Sequence, residues 1–281
     1  DGIRDSAASR GLGDVYKRQM HNDEQGRISR FVEKPGTPEL LDSLKLPAEQ
    51  LAKQEIEPGS DHYLASMGIY LFNRQTLIEL LENEMTDFGK HIIPRSIGTH
   101  RVYSFVYQGY WEDIGTIRAF FEANLDMTAA MPQVDFFEME TPVYTRPRFL
   151  PASKINGAAI DQAIISDGCI IDRSRISQSH IGVRSLIAPG CRIHRSILHG
   201  SNRYETEASK AVSERDGIPR IGVGGNTRIE NTIVDKNTRI GADCVITPED
   251  KPEHLDGENF FIRDGIVIIP KNAVIPDGTV I

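Results

Sequence analysis

Apolar β-branched residues recur every sixth position in the second half of the chain: Ile164, Ile170 and Ile176; Ile181, Ile187 and Ile193; Val234, Ile240 and Ile246; Ile269, Ile275 and Ile281. A period of six matches neither the turn of an α-helix nor the alternation of a simple strand. It matches a parallel β-helix, in which each short strand turns one aliphatic side chain into a triangular coil. Small and turn-forming residues fill the corners between, as in Asp167-Gly168, Pro189-Gly190, Gly241 and Pro276-Asp277-Gly278. Because the period returns in separate runs, residues 151–281 read as a coil of hexapeptide repeats. Two polar stretches, Gly200 to Gly217 and Pro248 to Asn259, break the period and read as loops leaving the solenoid.

The first half has a different rhythm. Arg27 to Val32 alternates like a strand and runs into the turn Glu33-Lys34-Pro35-Gly36. Tyr63 to Phe72 is rich in β-formers, Arg74 to Leu81 has helical spacing, and Arg101 to Tyr107 alternates again. Thr116 to Leu125 places Ile117, Phe120 and Phe121 on one helix face. Residues 37–62 are charged and poor in aromatics, which predicts a surface excursion. Strands interleaved with helices predict a sheet covered by helices, so the chain reads as α/β followed by all-β. The expected division is an α/β domain over 20–130, a proline-rich linker over 131–150 and the coil over 151–281. The stretch DGIRDSAASRGLGDVYKRQ, residues 1–19, has no period and no apolar core, and is set aside as a non-native leader.

Charge narrows the function. A formal charge of −8 argues against a dedicated nucleic-acid binder, so an anionic ligand must meet a local cationic pocket. No apolar run approaches the roughly 20 residues needed to span a bilayer. Cys169, Cys191 and Cys244 lie far apart without metal-ligand spacing, which fits a cytoplasmic chain without disulfides.

An ordered set of motifs carries a family resemblance from residue 27 to the C-terminus. It comprises Phe31-Val32-Glu33-Lys34-Pro35, Ala65-Ser66-Met67-Gly68-Ile69-Tyr70, Asp87-Phe88-Gly89-Lys90 and Tyr110-Trp111-Glu112-Asp113-Ile114-Gly115-Thr116. It continues through Tyr144-Thr145-Arg146-Pro147-Arg148, Ile181-Gly182-Val183-Arg184-Ser185, Asp235-Lys236-Asn237, Gly265-Ile266-Val267 and Lys271-Asn272-Ala273. Together these resemble ADP-glucose pyrophosphorylase (glucose-1-phosphate adenylyltransferase). The resemblance implies a Rossmann-like nucleotidyltransferase domain followed by a left-handed parallel β-helix. It also implies attack of glucose 1-phosphate on the α-phosphate of ATP, with Mg²⁺ and cationic side chains neutralising the developing charge.

By resemblance, Lys34 holds the sugar phosphate, Glu33 accepts from glucose hydroxyls, and Asp113 ligates Mg²⁺. A hard carboxylate oxygen suits that ion, which takes only one or two protein carboxylates beside phosphates and water. The alternative for Asp113 is a helix N-cap carboxylate before Ile114-Gly115-Thr116, and the two roles are compatible. Ser66 and Tyr70 are expected on one face of a β-like segment lining the sugar-phosphate pocket. Asp87 reads as a sugar contact or an N-cap, and Trp111 as a pocket wall or a core residue. Arg148, Lys236 and Lys271 resemble an effector site for phosphorylated metabolites such as 3-phosphoglycerate. They are expected to converge between linker and coils in a homotetramer or heterotetramer. The family's glycine-rich loop with its Thr-Arg does not occur here, so this chain is expected to be N-terminally truncated and inactive alone. Three other readings stay open. One is a different sugar-1-phosphate nucleotidyltransferase, such as a mannose-1-phosphate guanylyltransferase; another is a non-catalytic regulatory subunit. The third is a hexapeptide acyltransferase using His180, His194 or His199.

Overall fold

The structure is a computed structural model that describes residues 2–3, 18–33, 37–53, 62–107 and 109–281. It divides after Gly109 into two units. The first is built on an antiparallel sheet. Its strands are β1 (Gly2–Ile3), β2 (Arg18–Asn22), β3 (Ile28–Glu33) and, after the short helices α1 (Pro38–Asp42) and α2 (Ala48–Lys53), β4 (Tyr63–Ala65). Their order across the sheet is β1-β4-β2-β3. There follow α3 (Arg74–Leu81), a π-helical turn (Phe88–Ile92) and α4 (Ile93–Thr99). Met20, Ile28, Leu46, Leu51 and Leu64 form the core, joined by Phe31, Ile97, Val102 and Val106.

Three expectations for this region are corrected. Strand β2 begins inside the segment set aside as a leader, and its Gln19 is wholly buried. Of the expected surface excursion over 37–62, residues 54–61 lie outside the described residues, and the described part is not wholly on the surface, because Leu44, Leu46 and Leu51 are buried. Arg101 to Tyr107 keeps its alternation, with Val102 and Val106 packed inward, yet among the described residues its only strand-like pairing is a bridge from Tyr103 to Arg27. Its backbone bonds reach Gly26 and Ile28 at the β2–β3 turn, so no ladder propagates along β3.

The second unit opens with α5 (Ile117–Asp126) and continues into the coil. Its first strands are β5 (Lys154–Asn156), β6 (Ala159–Ile165), β7 (Ile170–Asp172), β8 (Arg175–Ile181), β9 (Leu186–Ile187) and β10 (Arg192–Leu198). After the helix α6 (Glu207–Arg215) come β11 (Gly222–Val223), β12 (Arg228–Val234), β13 (Arg239–Ile240) and β14 (Val245–Ile246). Each strand pairs in parallel with the strand one turn on. The seven-residue strands bend at a residue with left-handed φ, namely Gln162, Gln178, Arg195 and Asn231, with φ between 44° and 48°.

Three inward columns fill the coil. One runs Ile165, Ile181, Leu198, Val234 and Ile269; another Ile171, Ile187, Val223, Ile240 and Ile275; the third Ile176, Ile193, Ile229 and Ile246. Because Ile160 stacks on Ile176 and Ile176 on Ile193, a turn takes 16 or 17 residues rather than three full hexads. The first turn is therefore out of phase with a strict six. Ile171, not Ile170, is fully buried, and Ile165, not Ile164, stands in the inward column. The other members of the period turn inward as expected.

Both interruptions of the period carry structure of their own. The first holds α6 and is pinned to the coil by Glu205, whose carboxylate meets Arg239 at 2.7 Å with only 2% of its side chain exposed. The second forms the strands β15 (Leu255–Asp256) and β16 (Phe261–Arg263), which fold antiparallel onto β17 (Ile266–Ile269) before β18 (Val274–Ile275) closes the coil. Cys169, Cys191 and Cys244 are all free and buried inside the coil, and burial pushes each thiol up from its ordinary range. Residues 131–150 hold no helix or strand. Among the described residues, no helix is long and apolar enough to cross a membrane.

Candidate functional site

In the first unit the sheet gathers several of the sequence candidates at one end. Strand β2 runs antiparallel to both β3 and β4, so those two run in the same direction. Glu33 closes β3 opposite Arg18, and Ala65 closes β4 opposite Gln19, which delivers Glu33 and Ser66 to the same end of the sheet. They stand two strands apart, roughly 10 Å along the hydrogen-bonding direction. Gln19, an amide buried between these strands, escaped the sequence reading because it lay in the discarded segment.

Ser66 and Tyr70 do meet, but not by sharing a strand face. The chain leaves β4 and turns at Gly68, whose φ of +75° suits a residue without a Cβ. Ser66 Oγ accepts from the Gly68 amide at 3.2 Å and lies 3.3 Å from the Tyr70 hydroxyl. The Tyr70 ring stacks on Phe88, with centroids 6.1 Å apart and planes within 15°. Asp87 immediately precedes Phe88 and caps the π-helical turn, accepting from the Lys90 amide at 2.8 Å. That turn packs on β3. The structure thus brings Ser66 and Tyr70 together, with Asp87 next to the ring that stacks on Tyr70 and the turn it caps packed on the strand that ends in Glu33. Lys34 lies outside the described residues.

Trp111 and Asp113 belong to the second unit. Their loop is stiffened from within: Tyr110 donates to Glu112 at 2.7 Å, and Asp113 Oδ1 accepts from the Gly115 amide at 2.8 Å. Thr116 then caps α5 by accepting from the Ala119 amide at 3.1 Å. Trp111 and Asp113 are half-buried. The N-cap reading of Asp113 is corrected, because Thr116 caps α5 and Asp113 closes a turn onto the Gly115 amide, which leaves metal binding compatible. Among the described residues no three His, Cys, Asp or Glu side chains cluster as a metal cage. Asp113 fits Mg²⁺ in the manner of an ion held mainly by substrate phosphates and water with one carboxylate.

The helix that follows this loop packs on the coil. Phe121 and Leu125 of α5 bury against Ile197, Ile233 and Ile266, so the sequence through α5 joins the second unit and not the first. Helical periodicity finds an apolar face but does not name its partner, which is why the expected boundary at 130 and the packing boundary after 109 differ.

Lys236 and Lys271 occupy the same place on successive turns: the Asn272 amide donates to the Lys236 carbonyl at 3.0 Å, and Asn237 donates to Asn272 at 3.1 Å. Arg148 does not converge with them within the chain. The same corner ladder runs from Pro151 through Gly168, Arg184 and Ser201 to Asn237. Arg148, three residues before its start, is therefore about four strand spacings, roughly 19 Å, from Lys236 and about five, roughly 24 Å, from Lys271. The three histidines weighed for acyl transfer have structural partners or surroundings. His194 lies 2.9 Å from Ser177 Oγ, and His199 meets Asp235 at 3.2 Å with its ring against Phe120. His180 is shifted down, by burial first and by His199 second.

Two family models match the chain. The first, described as nucleotidyl transferase, covers residues 17–130, and the second, described as GLGC left-handed parallel beta-helix domain, covers residues 148–280. The sheet-end cluster falls in the first match and the whole coil in the second.

Proposed function

The chain belongs to the family that joins a nucleotidyl transferase domain to a GLGC left-handed parallel β-helix, the domain pair typical of ADP-glucose pyrophosphorylase, and from this premise we propose that it serves adenylyl transfer to glucose 1-phosphate. The observation that supports this most is that one sheet end carries both Glu33 and Ser66, with Tyr70 meeting Ser66 and Asp87 beside the Phe88 ring that stacks on Tyr70. Carboxylates and hydroxyls beside an aromatic face are what a hexose requires: acceptors and donors for its hydroxyls and an apolar surface for its ring.

In this reading an oxygen of the sugar phosphate forms a bond to the α-phosphorus of ATP, the bond to the bridging β-phosphate oxygen breaks, and pyrophosphate leaves. Glu33 and Asp87 orient the sugar by accepting its hydroxyl protons in hydrogen bonds, with Ser66 and Tyr70 as paired donors. Lys34, following β3 directly, supplies an ammonium to the sugar phosphate. Asp113 would hold Mg²⁺, which when bound offsets charge on the phosphates. The proposal extends to a cytoplasmic tetramer, homomeric or heteromeric, that responds to phosphorylated metabolites.

Two measurements test it. Binding of glucose 1-phosphate to the chain, by calorimetry, should exceed that of mannose 1-phosphate, and Lys34→Ala should weaken it by about tenfold to a hundredfold, the worth of a charge-assisted hydrogen bond. In an enzyme that releases pyrophosphate from ATP and glucose 1-phosphate, Asp113→Asn should depress kcat while Lys34→Ala raises KM for the sugar phosphate. Preference for mannose 1-phosphate with GTP would replace the substrate assignment; identical kinetic signatures for the two variants would remove the division of roles.

A further inference from the structure

We propose that Arg195 is a positioning residue: a coil corner that reaches out to clamp α5 and so fixes the Trp111–Thr116 loop in which Asp113 sits. Successive turns place Gln162, Gln178, Arg195 and Asn231 at one corner, all with left-handed φ. Short amides suffice for the corner itself, as Gln178 donating to Gln162 shows. An arginine there carries the backbone strain of a bulky left-handed residue without the local hydrogen bonding that favours Asn. Its length is used elsewhere. The guanidinium donates to the Glu122 carboxylate at 3.3 and 3.4 Å, its Nε donates to Asn231 at 3.1 Å, and its carbon lies 6.0 Å from the Phe121 ring centroid.

The surface beneath α5 is built to receive it. Ile197 and Ile233 stand in register one place before the inward Leu198 and Val234, and so face out of the coil. Phe121 and Leu125, four apart on the helix, cover them. At the helix start Arg118 donates to the Asp264 carbonyl at 2.8 Å. From this anchored helix the path to Asp113 is short and stiff. Thr116 caps α5, and the Gly115 amide binds Asp113 Oδ1. Loss of the clamp loosens the loop from its helical end. That Asp113 serves the transfer reaction rests on the function proposed above; the anchoring itself does not.

Trp111 is the only tryptophan in the chain and sits in this loop, so it reports on the clamp without any substrate. Arg195→Gln keeps a residue that the corner already accepts at two other turns while removing the reach to Glu122. In the full chain it is expected to raise acrylamide quenching of Trp111 and to speed hydrogen exchange across residues 110–126 by about threefold to tenfold. Exchange in the coil strands should stay unchanged. Glu122→Gln should reproduce the effect, the double variant should add little to it, and Arg195→Lys should restore part of it. Unchanged quenching and exchange in Arg195→Gln would overturn the proposal. So would faster exchange in the coil strands equal to that in the loop, which would make Arg195 a coil residue only. In an assay of nucleotidyl transfer the same variant should lower kcat with KM for the sugar phosphate unaltered. Loosened Trp111 with unaltered kinetics would leave the clamp standing and count against the role of Asp113.

Discussion

His180 occupies an outward position of the coil between Ile164 and Ile197, with its Nδ1 buried and no hydrogen-bond partner for that atom among the described residues. The groups near it are His199 of the next turn, paired with Asp235, and Phe120 of α5 against the His199 ring. Burial disfavours the charged imidazolium, and the charge of His199 adds to that, so the folded pKa lies below the ordinary value. The unfolded chain then binds the proton more readily. The stabilising neutral state is therefore fully present above about pH 6.5 and is lost as pH falls below it toward the depressed folded value. Urea midpoints measured from pH 7.5 to 5 should decline, and His180→Leu should flatten that decline while extending the apolar stripe. An identical slope in the variant would assign the decline to other groups. The buried thiols make a separate residue-scale expectation. Raised pKa values and burial should leave Cys169, Cys191 and Cys244 unreactive to a thiol reagent at pH 8 until the coil unfolds.

Strands of the coil are legible in the sequence because each turn repeats the same physical demand, one aliphatic side chain inward per short strand. What the period of six misses is its own length: turns of 16 or 17 residues slip against three hexads, and at the first turn the slip exchanges Ile170 for Ile171. The difference is measurable. Ile171 is fully buried and Ile170 is 47% exposed, so Ile171→Ala should cost about 2–4 kcal/mol and Ile170→Ala under about 1 kcal/mol in equilibrium unfolding. Equal costs would restore the strict period. The helix α6 and the Glu205–Arg239 pair were not legible, because an insertion shows only as a break in period and a buried ion pair joins residues far apart in the chain. In the first unit, Ser66 and Tyr70 were chosen by resemblance and by an expected strand face. They meet instead through a glycine turn, which shows why the residues could be named without their geometry. The partner of α5 was hidden for the complementary reason, since a 3.6-residue period marks a face and the outward isoleucines that receive it look like ordinary coil residues.

At the scale of the molecule, the proposed effector residues separate into two groups. Lys236 and Lys271 repeat one position on stacked turns, so their ammonium groups spring from backbones about 5 Å apart and one phosphorylated ligand is able to meet both. Two lysines on adjacent turns are a local concentration of positive charge in a chain of net charge −8, which favours an anion there. Arg148 joins the coil at its opposite end of the same ladder. Contacts that share a ligand couple energetically, whereas sites farther apart than about 7–10 Å add independently. Effector affinity should therefore respond non-additively to Lys236→Ala and Lys271→Ala, with a coupling of about 0.5–3 kcal/mol in a double-mutant cycle. Arg148→Ala should combine with either to within about 0.5 kcal/mol. The measurement is a titration of 3-phosphoglycerate and of inorganic phosphate against the four proteins of each cycle, read as binding heat so that it does not depend on turnover. Additive lysines would show that they do not share one anion. Strong coupling of Arg148 to either lysine would place all three in one pocket, and since a single chain holds Arg148 roughly four strand spacings from Lys236 and five from Lys271, that pocket would have to be shared between subunits.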